Sequence, residues 1–305
     1  MIAMDPLSFF LYFLSQLLDG LLISATYALM AVGLTLIFGI MKVVNFAHGE
    51  MYMLGGYTSY FIITKLNVNP FPALFVSVIV GFCFGAVVER LLLRPMNTGK
   101  VERKDDYSIL ITFGLSVFLQ NFAVVLSPFS KKPPSFIGGK ISLGPFTVSG
   151  DRLFACCLSV AILLILFMFI YKTATGKALR SVSQNRDAAS ILGINPFKMD
   201  TLAVSLGSLL AAAAGALIAP VYLVYPTMGA FAIKGYVIIV LGGMGSIKGS
   251  IVGAILLGVV ETLGSVFFPD PRRALTYRDA FGLVALVVVL LLRPTGLFGE
   301  KVRKA

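Results

Sequence analysis

The chain has 305 residues, of which 58% are drawn from Ala, Val, Ile, Leu, Met, Phe, Trp, Tyr and Cys and only 13% are charged, with a mean hydropathy of +0.93. Soluble domains hold roughly 45–50% apolar and about 25% charged residues, so a water-soluble fold and a disordered chain are both excluded. A formal charge of +11 would point to nucleic acid in a soluble protein, but here Lys and Arg gather between apolar stretches, as membrane topology requires, and no nucleic-acid partner is expected.

The first basic residue is Lys42, so the start lacks the basic region of a cleaved signal and is expected to stay attached. A bilayer core of about 30 Å needs about 20 helical residues. That length predicts spans at 8–40, 44–64, 71–93, 108–127, 153–171, 199–220, 229–245, 249–268 and 279–293. The first is too long for one straight helix and contains Asp19-Gly20, so residues 4–18 are expected along the interface or at a steep tilt. The segment 128–152 holds prolines, glycines and the alternating Ile141-Ser142-Leu143, the makings of a small hairpin or a docking surface outside the membrane. The stretch 229–245 is short and ends in Leu241-Gly242-Gly243-Met244-Gly245, which predicts a broken or re-entrant helix. Residues 33–57 and 235–261 each run as an apolar half-segment, a glycine break and a second apolar segment, a pattern shared with repeat-built transporters. With loops 90–107 and 172–198 inside, sixteen Lys and Arg fall on the cytoplasmic side and nine outside, which places the N-terminus outside and the C-terminus inside. An even number of spans would move the N-terminus inside. The expected fold is thus an all-α, polytopic bundle of eight or nine transmembrane helices, some broken or short, forming one domain over 1–305.

Nucleotide-binding, zinc-protease and serine-hydrolase motifs are absent, and the chain has one histidine. Cys83, Cys156 and Cys157 sit inside apolar runs without metal-ligand spacing. The chain is therefore expected to be no enzyme and to bind no cofactor or metal, and any nucleotide that powers it must bind another chain. Polar residues within spans face a bundle interior. Asn45, His48 and Glu50, at the entrance to the second span, are candidates to line a translocation pathway or lock a helix pair. Asn45 as a helix N-cap and Glu50 as a first-turn carboxylate are the plainer alternative. The glycine-broken region that includes Gly242, Gly243 and Ser246 is the other candidate for the passage, because a broken helix offers free N–H and C=O groups to a zwitterion. Gln120-Asn121 and Glu261-Thr262 are expected to make interhelical hydrogen bonds, with a gate as the alternative, and Arg90 and Arg94 to reach headgroups, with Pro95 ending their span.

The loop 172–198 contains Thr175 to Gly193, where Ala178, Leu179, Val182, Ala189 and Leu192 recur at helical spacing and Gly193 stands at the C-cap position, predicting a short amphipathic helix. Its Asp187-Ala188-Ala189-x-x-x-Gly193 resembles the EAA loop of bacterial ABC importer permeases, with Asp187 in place of Glu. Further stretches widen the resemblance: Gly33 to Gly39, Asn45 to Glu50, Glu89-Arg90-x-x-x-Arg94-Pro95, Gln184 to Ala189, Val240 to Ser246 and Arg293 to Gly299. Together they are similar to the branched-chain amino acid permease family, in particular its LivH-like members. The resemblance implies a permease subunit in the bacterial inner membrane, paired with a second, LivM-like permease, two cytoplasmic ATPase subunits and a periplasmic substrate-binding protein. It also implies that Arg180, Gln184, Asn185, Arg186, Asp187, Ala188, Ala189 and Gly193 form the ATPase-coupling segment. Urea or short-amide import within the same family remains open, as does an ATP-independent secondary transporter or channel.

Overall fold

A computed structural model describes residues 5–99, 101–267 and 277–299. Helix α1 (Pro6–Met41) starts with proline at its first position, where a missing N–H costs nothing, and ends at Lys42 in the left-handed region (φ 58°). It is one continuous helix of 36 residues, about 54 Å long. The expected interruption at Asp19-Gly20 is absent. Gly20 instead permits close approach, since a Cβ there would strike the Gly258 carbonyl and Thr262, and Asp19 pairs with Arg152 at 2.6 Å. The pair that reads as a break is a helix contact.

Helix α2 (His48–Leu66) is followed by α3 (Pro70–Val88), capped by Asn69, whose side chain accepts from the Phe71 N–H. Helix α3 does not end at Pro95. It passes through a π-helical turn (Glu89–Leu93) into α4 (Arg94–Asn97): the Arg94 N–H reaches back five residues to the Glu89 carbonyl, and the helix runs on past Pro95, which has no N–H to donate. Arg94 does not simply reach for headgroups either: it pairs with the fully buried Glu89 at 3.1 Å and donates to Thr201. Helix α5 (Lys104–Leu126) leads to an antiparallel hairpin, β1 (Lys140–Leu143) and β2 (Phe146–Ser149), turned at Gly144 (φ 61°) and Pro145. The hairpin, with a single antiparallel bridge between Lys131 and Val224, departs from an all-α fold. Asp151, at the start of α6 (Gly150–Lys172), fastens this segment by accepting from the Phe136 and Ile137 N–H groups.

After α6 come α7 (Ala174–Gln184), α8 (Arg186–Ile191), α9 (Pro196–Ile218), a 3₁₀ turn (Met228–Phe231), α10 (Ala232–Gly242), α11 (Ile247–Val266) and α12 (Arg278–Leu292). Among the described residues six helical stretches are long and apolar enough to cross a membrane: α1, Pro70–Asn97, α5, α6, α9 and α11. The core forms where α9 packs against α1, α2 and α3, with α11 on the far side of α1. Small residues set the spacing. Ala211 to Ala214 are fully buried, and added Cβ atoms at Gly55 and Gly215 would strike the backbone of Ala212 and Tyr52. Without a hydrophobic drive between helices in lipid, such close backbone contact is a main source of helix association. Helices α5 and α12 turn mostly apolar, exposed faces outward.

Candidate functional site

Three clusters carry the chain's polar chemistry. The first is the turn before α2. From Lys42 the chain runs non-helically back along α1, so that His48 Nε2 lies 3.1 Å from the Met30 carbonyl. Met30 is eleven residues before the end of α1, about 16 Å along its axis. Helix α2 therefore begins deep within the bundle rather than at its end, as the predicted span 44–64 had it. Irregular backbone at such depth is tolerated where protein surrounds it, and Val43, Asn45 and Ala47 are buried.

Asn45 is not the N-cap, because Ala47 holds that position. The Asn45 side chain accepts from the Ala47 N–H at 3.1 Å and its carbonyl accepts from the Tyr236 hydroxyl, which fixes the turn rather than the helix end. Glu50 does lie in the first turn, and its Oε1 accepts from Ser116 (2.9 Å) and Gln120 (3.1 Å) of α5. A Cβ at Gly229 would push the Glu50 carboxylate from this place, so glycine there leaves it room. Asn45, His48 and Glu50 are all at most 1% exposed, and Asn45 Nδ2, His48 Nδ1 and Glu50 Oε2 have no hydrogen-bond partner among the described residues. One buried turn thus presents a spare donor and two spare acceptors, the latter on the reading that the neutral imidazole gives its proton to Met30.

The second cluster is the α10–α11 hairpin. Gly242 and Gly249 touch backbone to backbone, Gly243 (φ 100°) and Gly245 (φ 87°) make the turn, and Ser246 caps α11 by accepting from the Gly249 N–H at 3.1 Å. The predicted break is present. The segment Arg293 to Gly299 closes on it: the Leu297 and Phe298 N–H groups donate to the carbonyls of Leu241 and Gly242, both at 2.9 Å, supplying partners to the open end of α10. The 45–50 turn meets this hairpin through α10, where Tyr236 donates to the Asn45 backbone carbonyl and Ala232 packs on Gly49, while the glycine turn lies at the far end of the helix.

The third cluster is the α7–α8 segment. One amphipathic helix was expected, and two are present, divided at Asn185, whose side chain caps α8 by accepting from the Ala188 N–H. Leu179, Val182 and Ala189 are buried as the periodicity predicts, but Leu192 is 79% exposed beside Ile191 at 86%, because the chain turns at Gly193 (φ 82°). Arg180 stacks on Tyr171, and Arg186 forks onto Asp200 while lying over Phe197. Those two cations brace the segment from within. Gln184, Asn185, Asp187, Ala188 and Gly193 remain on its open face.

The sequence reading did not single out Lys234 or Asp200. Lys234 joins Glu261 at 2.9 Å and Asp279 at 2.8 Å, while Tyr27 donates to Glu261 and Arg278 lies 3.5 Å from it. Gln120 and Glu261 thus make interhelical contacts, whereas Asn121 and Thr262 bond within their own helices, to the Val117 and Gly258 carbonyls. A lone lysine inside the predicted span 229–245 was the available signal. Among the described residues no group of His, Cys, Asp and Glu is placed to hold a metal.

The family model described as branched-chain amino acid transport system / permease component matches residues 16–292. The chain belongs to this family. It is 35% identical over 306 residues to the high-affinity branched-chain amino acid transport permease protein BraD of Pseudomonas aeruginosa, covering 95% of this chain and 96% of BraD. It is 34% identical to LivH of Escherichia coli, across 95% of this chain and 97% of LivH. A more distant likeness, 26% identity over 78% of this chain and 61% of the relative, joins it to LivM of Salmonella typhimurium. Its membership, with six apolar helices of spanning length, makes it a multi-pass membrane protein.

Proposed function

We propose that this chain is the permease subunit of an ATP-driven importer of branched-chain or other hydrophobic amino acids in a bacterial inner membrane. The observation that carries the reading is the near full-length identity with BraD and LivH. The working assembly pairs this chain with a LivM-like permease, two cytoplasmic ATPases that hydrolyse the nucleotide, and a periplasmic binding protein. The subunit binds no cofactor. Nine passes, with α2, the short α10 and α12 added to the six long stretches, put the N-terminus outside and the C-terminal segment in the cytoplasm.

In that orientation α7 and α8 lie on the cytoplasmic side, and the open face with Gln184, Asn185, Asp187, Ala188, Ile191, Leu192 and Gly193 docks on an ATPase. The Arg186–Asp200 fork ties that face to the base of α9, so a push on α8 reaches the helix at the centre of the bundle. Coupling needs such a rigid link between two discrete arrangements. The passage runs by Asn45, His48 and Glu50, whose spare groups meet the polar head of an amino acid or its water, and the hairpin at Gly242, Gly243 and Ser246 closes its inner end. A secondary transporter would need an intramembrane carboxylate free for an ion. Glu261 is already engaged by Lys234 and Arg278, but Glu50 keeps a spare oxygen, so what favours the ATP-driven reading is the near full-length likeness to BraD and LivH rather than a missing carboxylate.

The test uses the transporter in proteoliposomes, with its two permeases, two ATPases and binding protein. Asp187→Lys and Gly193→Val should uncouple ATP hydrolysis from leucine uptake with membrane insertion intact. Cysteines at Ser135 and Ser183, in a background without the native three, should react with an impermeant maleimide from opposite sides. Full uptake in both variants would remove the docking face, and labelling of both cysteines from one side would remove the topology.

A further inference from the structure

A cleft of about 1,040 Å³ opens between the end of α1, α6–α7, the α10–α11 turn and the segment after α12. Its charge is one-sided. Lys42, Arg180 and Lys248 line it, and among the described residues lining it there is no carboxylate. Arg180 is held in place by its stack on Tyr171, 4.9 Å from the ring centre, and its Nε is buried without a partner. The N-terminus of α11, a helix of 20 residues, also opens here and adds the positive end of its dipole. Leu36, Val240, Met244 and Phe298 make the other wall apolar, with Met244 57% and Phe298 49% exposed.

Three cations with no counter-charge call for an anion, and the apolar wall beside them calls for a hydrocarbon tail. The wall reaches Thr35 and Leu36, six residues up α1 from its end and about 9 Å along the axis, while Lys42 and Lys248 stand at helix ends and Arg180 on the short α7. Head at the interface and tail toward the bilayer interior is the disposition of a phospholipid. The volume points the same way, being at the upper edge of the ~300–1,000 Å³ that drug-sized ligands fill, and far beyond one amino acid. Basic pockets between helices on the cytoplasmic side are a known kind of site for anionic headgroups.

We infer that this cleft binds one anionic phospholipid of the inner leaflet, its phosphate on Lys42, Arg180 and Lys248 and an acyl chain along the apolar wall. A lipid seated there touches both the α10–α11 turn and α7, the proposed inner closure and the arm beside the docking face, and braces one against the other. The leaflet rests on the orientation proposed above, which the Ser183 labelling measures separately.

The experiment places the complete transporter in nanodiscs of phosphatidylglycerol and phosphatidylcholine in equal amounts and counts retained lipids by native mass spectrometry. Wild type should keep one phosphatidylglycerol in preference to phosphatidylcholine. Lys42→Gln/Arg180→Gln/Lys248→Gln should lower its affinity roughly a hundredfold, from the attraction each basic residue near a lipid surface supplies. Lys172→Gln/Lys177→Gln/Lys198→Gln removes as many exposed charges elsewhere in the same loop and should leave it within twofold. Soluble glycerol phosphate should not displace the lipid, since it lacks the tail. Equal loss in both triple variants would show a general surface attraction and overturn the site, as would displacement by glycerol phosphate or by leucine.

Discussion

The fork between Arg186 and Asp200 makes an asymmetric prediction. Asp200 is fully buried at the first turns of α9 and accepts from Arg186 through both oxygens and from Asn97 at 3.0 Å, whereas the Arg186 side chain is 31% exposed. Arg186→Ala strands a buried carboxylate with one amide for company. Breaking a buried pair in this way costs roughly 3–5 kcal/mol, and partial access of water to the pair brings the expectation to about 2–3 kcal/mol. Asp200→Asn leaves no buried charge, keeps a polar group near Asn97 and releases Arg186 toward water, for about 1–2 kcal/mol. The double variant should lose less than the sum by about 1 kcal/mol, because the two residues share one interaction. The assay is thermal unfolding of the purified protein in one detergent, with leucine uptake per molecule measured beside it. Uptake should fall further than stability in either variant if the fork carries force from α8 to α9. A cost for Asp200→Asn above that of Arg186→Ala, or strict additivity, would refute the reasoning.

Two other perturbations follow from the packing. Gly55→Ala and Gly215→Ala push a methyl group into backbone that cannot yield, so each should lower the yield of folded protein several-fold in detergent-monitored size-exclusion chromatography; Gly114→Ala, with no atom in reach of its Cβ, should raise or leave it unchanged. Lys234→Met removes one of the cations beside the buried Glu261 and should destabilise by about 2–4 kcal/mol, while adding Glu261→Gln should restore most of that loss; unfolding midpoints of the single and double variants decide it.

Length and hydropathy read the long helices well. The spans predicted at 108–127, 153–171 and 199–220 fall within α5, α6 and α9 to a few residues at each end, because an uninterrupted apolar run has only one economical arrangement in lipid. The places where reading failed share a cause. Asp19-Gly20 reads as a break, Pro95 as a stop and Asn45 as a cap, since each has that meaning in an isolated helix. In the bundle, Asp19 finds Arg152, Gly20 lets α11 approach, the helix runs on past Pro95 after a π turn, and Asn45 ties a turn that α10 covers through Tyr236. The ledger of charges fails for the same reason. Lys234 reads as a lone charge inside the span 229–245 until α11 and α12 bring Glu261 and Asp279 beside it.

The same contrast bears on how force could cross the molecule. The glycines at 242, 243 and 245 were legible as a break because flexibility is a local property of backbone, and no neighbour is needed to recognise it. Rigidity is not local. The links that could carry motion, Arg186 to Asp200 and Asn97, Glu89 to Arg94 and Thr201, join residues up to 112 positions apart, and they gather where α4, α8 and the start of α9 meet. A hinge without such links would bend under load and transmit nothing. With them, α8 is tied to the start of α9. Gly243→Ala, whose Cβ would strike the Gly299 backbone at a position of φ 100°, should therefore lower uptake and the unfolding midpoint together, as should substitutions that cut the polar links.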